Sequence, residues 1–327
     1  MKDNCAVIIP SIKLDEDTIK CIKECLKQEQ VKVKVYLVTN YKIKRKLKLK
    51  NLIYLSYGDI NMSEKRNKAV KKSKEKYIAF IDSDAYPEKK WLYNAINILK
   101  KNRKIGMITG PDLPFKNQKG WSHHIAEAHK SFLLSGTKVF RKNLKKETKC
   151  LQASSCNMIL ERKIFKKLNG MDEGIYIGED KDLCDKLRKF KSILYSPNVV
   201  IYHRVREFKP FLLQRFSYGS CIKDIVRNNS EFNLNNIQYF VPLFITLFYL
   251  FFPIFFSIDY FSDFAVISLI SLNLIITFES LRITLNPLNF LKIFLIININ
   301  ILSFGLGSLA NILGLNKNII KELYLKR

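Results

Sequence analysis

No G-x-G-x-x-G follows the first apolar strand of this 327-residue chain, and no lysine-bearing phosphate loop occurs in it. Both absences count against the usual glycine-built cradles for dinucleotides and nucleoside triphosphates. The seven cysteines make no metal-like arrangement: Cys21 and Cys25 stand four apart on a helical stretch, with no second pair to complete a zinc site. They read as reduced thiols of a cytosolic compartment. The apolar part of the opening MKDNCAVIIPSIK is too short for a signal peptide, so the first domain is expected in the cytosol. Acidic residues are scarce, 29 against 56 Lys and Arg, a net charge of +27. An excess of that size points to nucleic acid, phosphorylated ligands or an anionic membrane surface. Lysine is spread over most of the first 230 residues instead of gathering in one block, and we expect no nucleic-acid partner.

Charge itself is missing from Tyr239 to Ile258, YFVPLFITLFYLFFPIFFSI, a stretch long enough to cross a bilayer core as a helix. A second stretch, FAVISLISLNLIITF (Phe264 to Phe278), reaches spanning length only with Glu279 to Ile283. A third, Ile293 to Leu315, ends in FGLGSLANILGL, whose small residues let helices approach closely. A buried helical domain is the alternative, but so few charges leave it almost no outer surface. The expected organisation is a cytosolic domain over 1–235, a membrane region of two or three helices over 236–316, and a basic tail over 317–327. The basic segment before the first stretch and the tail KNIIKELYLKR both belong in the cytosol, whereas three full crossings would put the tail outside. One of the three is then re-entrant or interfacial, or the charge rule fails. Glu279 is costly at that depth unless it sits at the interface or faces protein.

Before residue 110, strands and helices alternate. CAVIIP, VKVYLVTN, NLIYLSYG, YIAFID and IGMITG read as strands; DEDTIKCIKECLKQ, SEKRNKAVKKSK and PEKKWLYNAINILKKN read as helices. That alternation predicts βαβ units and a mostly parallel, doubly wound sheet. In such sheets ligands bind beyond the carboxyl ends of the strands, and YIAFID opens there into Asp82 and Asp84. One reading makes these aspartates a turn that caps the helix expected near Glu88. The other makes them ligands of a hard divalent cation that bridges phosphate oxygens.

Four blocks resemble, in order, the inverting family 2 glycosyltransferases of the GT-A fold, over residues 5 to 230. They are VIIPSIK, GDINMSEKRNKAVKKSKEKYIAFIDSDAYPEKKWL, QASSCNMILERKIFKKLNGMDEGIYIGEDKDLCDKLRK and YSPNVVIYHRV. The resemblance implies a Rossmann-like α/β domain, followed here by the all-α membrane region. It also implies Mn²⁺ or Mg²⁺ as cofactor, a nucleotide-sugar donor, and transfer of one sugar to a lipid-linked or glycan acceptor at the cytosolic face of a membrane. Carried over by residue, Asp84 is the principal metal ligand, Asp82 binds metal or ribose, and His203 completes the metal shell or contacts the diphosphate. Arg66 approaches the nucleotide, Pro10 and Ser11 line the base pocket, and the Glu179-Asp180 pair carries the catalytic base, Asp180. Asp180 also falls near a helix start, where a plain cap is the alternative and where the dipole favours the ionised form. The chain departs from the pattern at LVTN, where the second strand lacks the usual acidic end. It also lacks the Gln-x-x-Arg-Trp of processive synthases, LLQRFSY being the nearest approach, which favours single-sugar transfer. The histidines of GWSHHIAEAHKSF, His123, His124 and His129, lack a supporting ligand pattern and are assigned to an amphipathic membrane-facing or acceptor-covering segment, with Trp121 at the interface. A polyprenyl-phosphate monoglycosyltransferase and a catalytically inactive membrane scaffold are the rival readings.

Overall fold

The computed structural model describes residues 2–135, 145–227 and 234–315. These divide into two compact units, 2–115 with 145–204, and 116–135 with 205–227 and 234–315. The composition change near 236 and this division mark different things: the first is where charge disappears, the second where contacts cluster.

The first unit carries an eight-stranded sheet. Its strands are β1 (Asn4–Pro10), β2 (Lys32–Thr39), β3 (Leu52–Ser56), β4 (Tyr77–Phe80), β6 (Ile105–Thr109), β8 (Thr148–Cys150), β9 (Met158–Glu161) and β10 (Ser192–Tyr195). The order is β3-β2-β1-β4-β9-β6-β10-β8, with β9 antiparallel to both neighbours and β8 antiparallel to β10, and with the remaining pairs parallel. A smaller sheet joins β5 (Ala85–Pro87), β11 (Ile201–His203) and β7 (Asp112–Pro114) in the order β5-β11-β7. β1 and β4 are buried on both faces, which is why they read as unbroken apolar runs and not as alternating strands.

The helices of this unit begin where the caps put them. α1 (Glu16–Leu26) starts at Asp15, whose carboxylate accepts from Thr18 N, and α2 (Met62–Lys72) starts at Asn61, which accepts from Glu64 N. α3 (Trp91–Lys101) starts later than the expected Glu88. The reason lies in the small sheet: Ala85–Pro87 is held extended against β11, and Glu88 N donates to Val200 O at 3.1 Å. Asp82 and Asp84 therefore do not cap α3, whose cap residue is Lys90. α6 (Arg162–Lys167) and α7 (Glu179–Arg188) complete the unit.

The second unit is helical: α4 (Gly120–Ala128), α5 (Phe132–Ser135), α8 (Phe208–Gly219), α9 (Ile222–Arg227), α10 (Val241–Phe256), α11 (Asp259–Ile283) and α12 (Pro287–Ile312). Ile125, Phe211, Ile276, Ile293, Ile297 and Ile301 gather in its core. Among the described residues, three helices are long and apolar enough to cross a membrane: Ile237–Phe256, Asp259–Ile283 and Pro287–Ile312. Glu279 has the protein partners its position demands. Its Oε2 accepts from Ser131 Oγ at 2.9 Å and Phe132 N at 3.1 Å, and Arg282 Nε donates to its Oε1 at 3.0 Å. The small residues of α12 act by proximity: a Cβ on Gly307 would stand 2.1 Å from Phe216 O of α8, so the two backbones touch only because both the side chain and its volume are missing. Trp121 of α4 packs against Phe208, ring centroids 4.7 Å apart.

Candidate active site

β4 ends at Phe80, and the chain turns at once, Ala85 N donating to Asp82 O at 3.1 Å. The small sheet then sets the next contact. Antiparallel pairing puts His203 opposite Ala85, beside Asp84, where His203 Nε2 and Asp84 Oδ1 are 3.1 Å apart. Arg204 N fixes the same loop by donating to Asp84 O at 3.0 Å. Asp82, Asp84 and His203, all half-buried, offer one ligand atom each within 4.8 Å of one another. Two carboxylate oxygens and one imidazole nitrogen fit a hard or borderline divalent ion such as Mg²⁺ or Mn²⁺. Burial works against a charged imidazole, but Asp84 beside it, with Asp82 and Asp112, pushes the His203 pKa up to about 9. Without a cation in place, His203 thus serves as counter-charge to the aspartates.

Arg66 ties this cluster to the start of α7. The buried face of α2 runs through Ala69 and Val70 back to Lys65 and Arg66, one turn earlier on the same side of the helix. Arg66, its side chain 4% exposed, donates to Asp82 Oδ1 at 3.3 Å and to Glu179 Oε1 at 3.0 Å. Glu179 opens α7 and Asp180 follows it; the cap position is taken by Gly178, at φ 100, a left-handed conformation suited to glycine. Asp180 is half-buried, and its Oδ1 accepts from Lys181 N at 2.8 Å. Burial raises the Glu179 carboxyl to about 7 against the pull of Arg66, with Asp180 and Asp82 adding to the rise. One guanidinium serves more than one carboxylate here.

A pH dependence follows for the ligand-free protein. The folded state favours protonated Glu179, so its contribution to stability is full below the ordinary pKa of 4.5 and is lost as pH climbs through about 7. Glu179→Gln should remove that slope between pH 4.5 and 7 while leaving the acid limb below it, as read by thermal midpoints across a pH series. An unchanged slope would show that Glu179 titrates normally.

Pro10 ends β1, and Ser11 beyond it is 4% exposed. Lys65, which the sequence reading passed over, is 1% exposed and donates from Nζ to Ser11 O at 3.0 Å; burial lowers its pKa to about 8. Its signal was present as a lysine on the helix stripe that continues into Ala69. At the end of β2, where LVTN lacks an acid, Asn40 Nδ2 donates to Asp59 Oδ1 at 2.7 Å and Tyr41 OH donates to Asp59 Oδ2 at 2.8 Å. A carboxylate therefore stands beside the second strand after all, supplied by the loop after β3. Among the described residues, the three histidines of the second unit join no metal-ligand cluster. His124 Nε2 instead lies 3.2 Å from Lys292 Nζ.

Residues 6–168 match the sequence profile of glycosyl transferase family 2. Among solved structures, the chain is similar to the mannosyltransferase PcManGT from Pyrobaculum calidifontis in complex with GDP-Man and Mn²⁺, with a TM-score of 0.58 and 13% identity over 94% of this chain and 86% of that one. At this identity the likeness establishes the architecture: a mostly parallel central sheet of the GT-A kind followed by apolar C-terminal helices. No curated protein matches the chain by sequence.

Proposed function

From the premise that the chain belongs to glycosyl transferase family 2 through residues 6–168, we propose that it moves one sugar, with inversion, from a nucleotide-diphosphate sugar to a hydroxyl of a lipid-linked or glycan acceptor. The reaction takes place at the cytosolic face of a membrane in which the apolar helices are anchored. The observation that carries this reading is the convergence of Asp82, Asp84 and His203, with Arg66 bridging Asp82 to Glu179. Asp82, Asp84 and His203 would hold Mn²⁺ or Mg²⁺, which when bound offsets charge on the departing diphosphate.

The remaining roles belong to the chain's own groups. Asp180, in the first turn of α7, takes the proton of the acceptor hydroxyl. The acceptor oxygen forms its bond to the anomeric carbon from the face opposite the diphosphate, and the bond from that carbon to the diphosphate oxygen breaks. Arg66 holds Asp82 and Glu179 in place and approaches the nucleotide. Pro10 and Ser11 line the base pocket, with Lys65 fixing the Ser11 carbonyl from below, and Asp59 supplies the carboxylate at the end of β2 that accepts from base or ribose.

A thermal-shift panel of UDP, GDP and dTDP, each with and without Mn²⁺, tests the donor half. A diphosphate that binds the native state raises its melting temperature, and GDP has a specific motive in the GDP-Man complex of the similar mannosyltransferase. One diphosphate should stabilise the protein in a Mn²⁺-dependent way, and Asp84→Ala should abolish that shift while lowering the ligand-free melting temperature only modestly, through the lost pair with His203, since Asp84 is a loop residue outside the core. Undiminished metal-dependent stabilisation of Asp84→Ala would leave the Asp-x-Asp as a turn.

A further inference from the structure

The three apolar helices do not all have the same surroundings. Of the most apolar part of each, 11% is buried in Ile237–Phe256, 17% in Asp259–Ile283 and 44% in Pro287–Ile312. The extra burial of α12 comes from α4, α8 and α10. Near its start, Lys292 Nζ meets His124 Nε2 of α4 at 3.2 Å. Near its end, Asn311 Nδ2 donates to Ser220 O, just past α8, at 2.6 Å. Between them, Gly305 lies against the first turns of α10, where an added Cβ would stand 2.4 Å from Pro242 O.

These anchors fix the side of the membrane on which each end of α12 lies. α4 belongs to a stretch that leaves the first unit at Phe115 and has returned to it by Thr148, and no uncharged segment of spanning length occurs between them. α8 follows Arg204 of the first unit almost directly; its 12 residues reach about 18 Å and include Lys209, Gln214 and Arg215, too short and too polar to cross a core of about 30 Å. Both ends of α12 are therefore on the side of the first unit. The end of α11 is there too, since Arg282 donates to Lys130 O at 2.9 Å and Glu279 holds Ser131 and Phe132. So is the start of α10, through Gly305.

We propose, on the premise of the membrane anchoring given above, that α10 and α11 are the only crossing helices among the described residues. They form a hairpin whose tip at Ser257 and Ile258 reaches the far side, and α12 lies along the near interface. Contiguity requires as much. α10, α11 and α12 are joined end to end and α12 returns to the start of α10, and a path that returns to its starting side crosses a bilayer an even number of times. The exposed side chains agree. On α12 Leu288, Leu291, Leu295 and Leu306 are exposed along one face while Ile293, Ile297, Ile301 and Ser308 are buried on the other, the one-sided pattern of a helix resting on lipid. α11 likewise exposes Phe264, Ile267, Ile270, Leu274, Ile275 and Phe278 as one broad stripe opposite buried Ala265, Ile276 and Ser280, the lipid face of a helix packed on its neighbours, so the anchors at the two ends, and not the exposure, set α12 apart from it. Two crossings also return the basic tail to the side of the basic segment before α10, removing the conflict with the charge rule.

The test uses the full chain in sealed vesicles whose orientation is set by protease access to the first unit, with a membrane-impermeant maleimide as probe. The native thiols are all buried and give little background. With the first unit outside, Lys326→Cys should label in intact vesicles, and Ser257→Cys only after permeabilisation. Tyr260→Cys, at a position 95% exposed, repeats the tip measurement if Ser257→Cys folds poorly. Protection of Lys326→Cys would mean that α12 crosses, and labelling of the tip in intact vesicles would mean that the hairpin does not; either overturns the proposal. Release of the whole protein by carbonate would overturn the anchoring itself and leave the sugar-transfer chemistry untouched.

Discussion

Asp180→Asn should lower turnover by roughly 10² to 10⁴, the contribution typical of a positioned acid-base group, while nucleotide and metal affinities stay near those of the unchanged protein. The amide keeps the shape of the carboxylate, and its oxygen still accepts from Lys181 N as Asp180 Oδ1 does at 2.8 Å. What it loses is basicity. The helix start survives as well, because Gly178 and not Asp180 occupies the cap position. Donor consumption against acceptor concentration, with nucleotide affinity by calorimetry, separates this from Asp84→Ala, which should lose binding and turnover together. Near-normal turnover of well-folded Asp180→Asn would end the base assignment. It would also move the polyprenyl-phosphate reading to first place, because a phosphate acceptor is already ionised and needs no base to activate it.

Much of the site was legible because strand ends are legible. The run Tyr77 to Ile81 is apolar throughout, so its end, and with it Asp82 and Asp84, could be put at the edge of a buried sheet from pattern alone. The partnership of Asp84 with His203 was not legible from spacing, since it depends on β11 pairing with β5 in a second sheet whose three-residue strands are too short to leave a periodic signal. The same short sheet delays α3 past Glu88. Resemblance supplied His203; register explains why it reaches Asp84. Arg66 shows a different limit. A helix stripe says that it faces inward, but not that it serves two carboxylates 97 residues apart in sequence, Asp82 and Glu179. Lys65 lies on the same stripe and was passed over because a lysine on an inward face violates the expected pattern; its bond to the Ser11 carbonyl is what makes the violation tolerable. In the second unit, composition found three apolar stretches and the charge rule found the inconsistency among them, but only contacts to α4 and α8 distinguish α12 from its neighbours.

Removing Arg66 should be the most damaging single change to the first unit's stability among the site residues. Arg66→Met leaves Asp82 and Glu179 without their common cation, and taking one partner from a buried ion pair typically costs 3–5 kcal/mol. Here about 2 kcal/mol is expected at pH 8, below that range, because the Asp82 side chain is 34% exposed and Glu179, raised to about 7 with Arg66 in place, can take up a proton when its counter-charge is lost. That corresponds to a fall in thermal midpoint of roughly 4–8 °C for a unit of this size. The loss should shrink toward pH 5, since Glu179, already raised to about 7 with Arg66 present, is then protonated and no longer requires a counter-charge. Adding Glu179→Gln should likewise restore much of the midpoint at pH 8 by removing the uncompensated charge, yet it should not restore nucleotide binding, for which Arg66 itself is needed. Thermal midpoints of the single and double variants at pH 5 and pH 8 test the ion-pair part, and calorimetric titration with the diphosphate tests the binding part. Equal destabilisation of Arg66→Met at both pH values, with no recovery in the double variant, would show that Arg66 acts by packing and not by charge. Recovery of stability together with full nucleotide affinity would instead make Arg66 purely structural, leaving Asp82 and Asp84 to act without it.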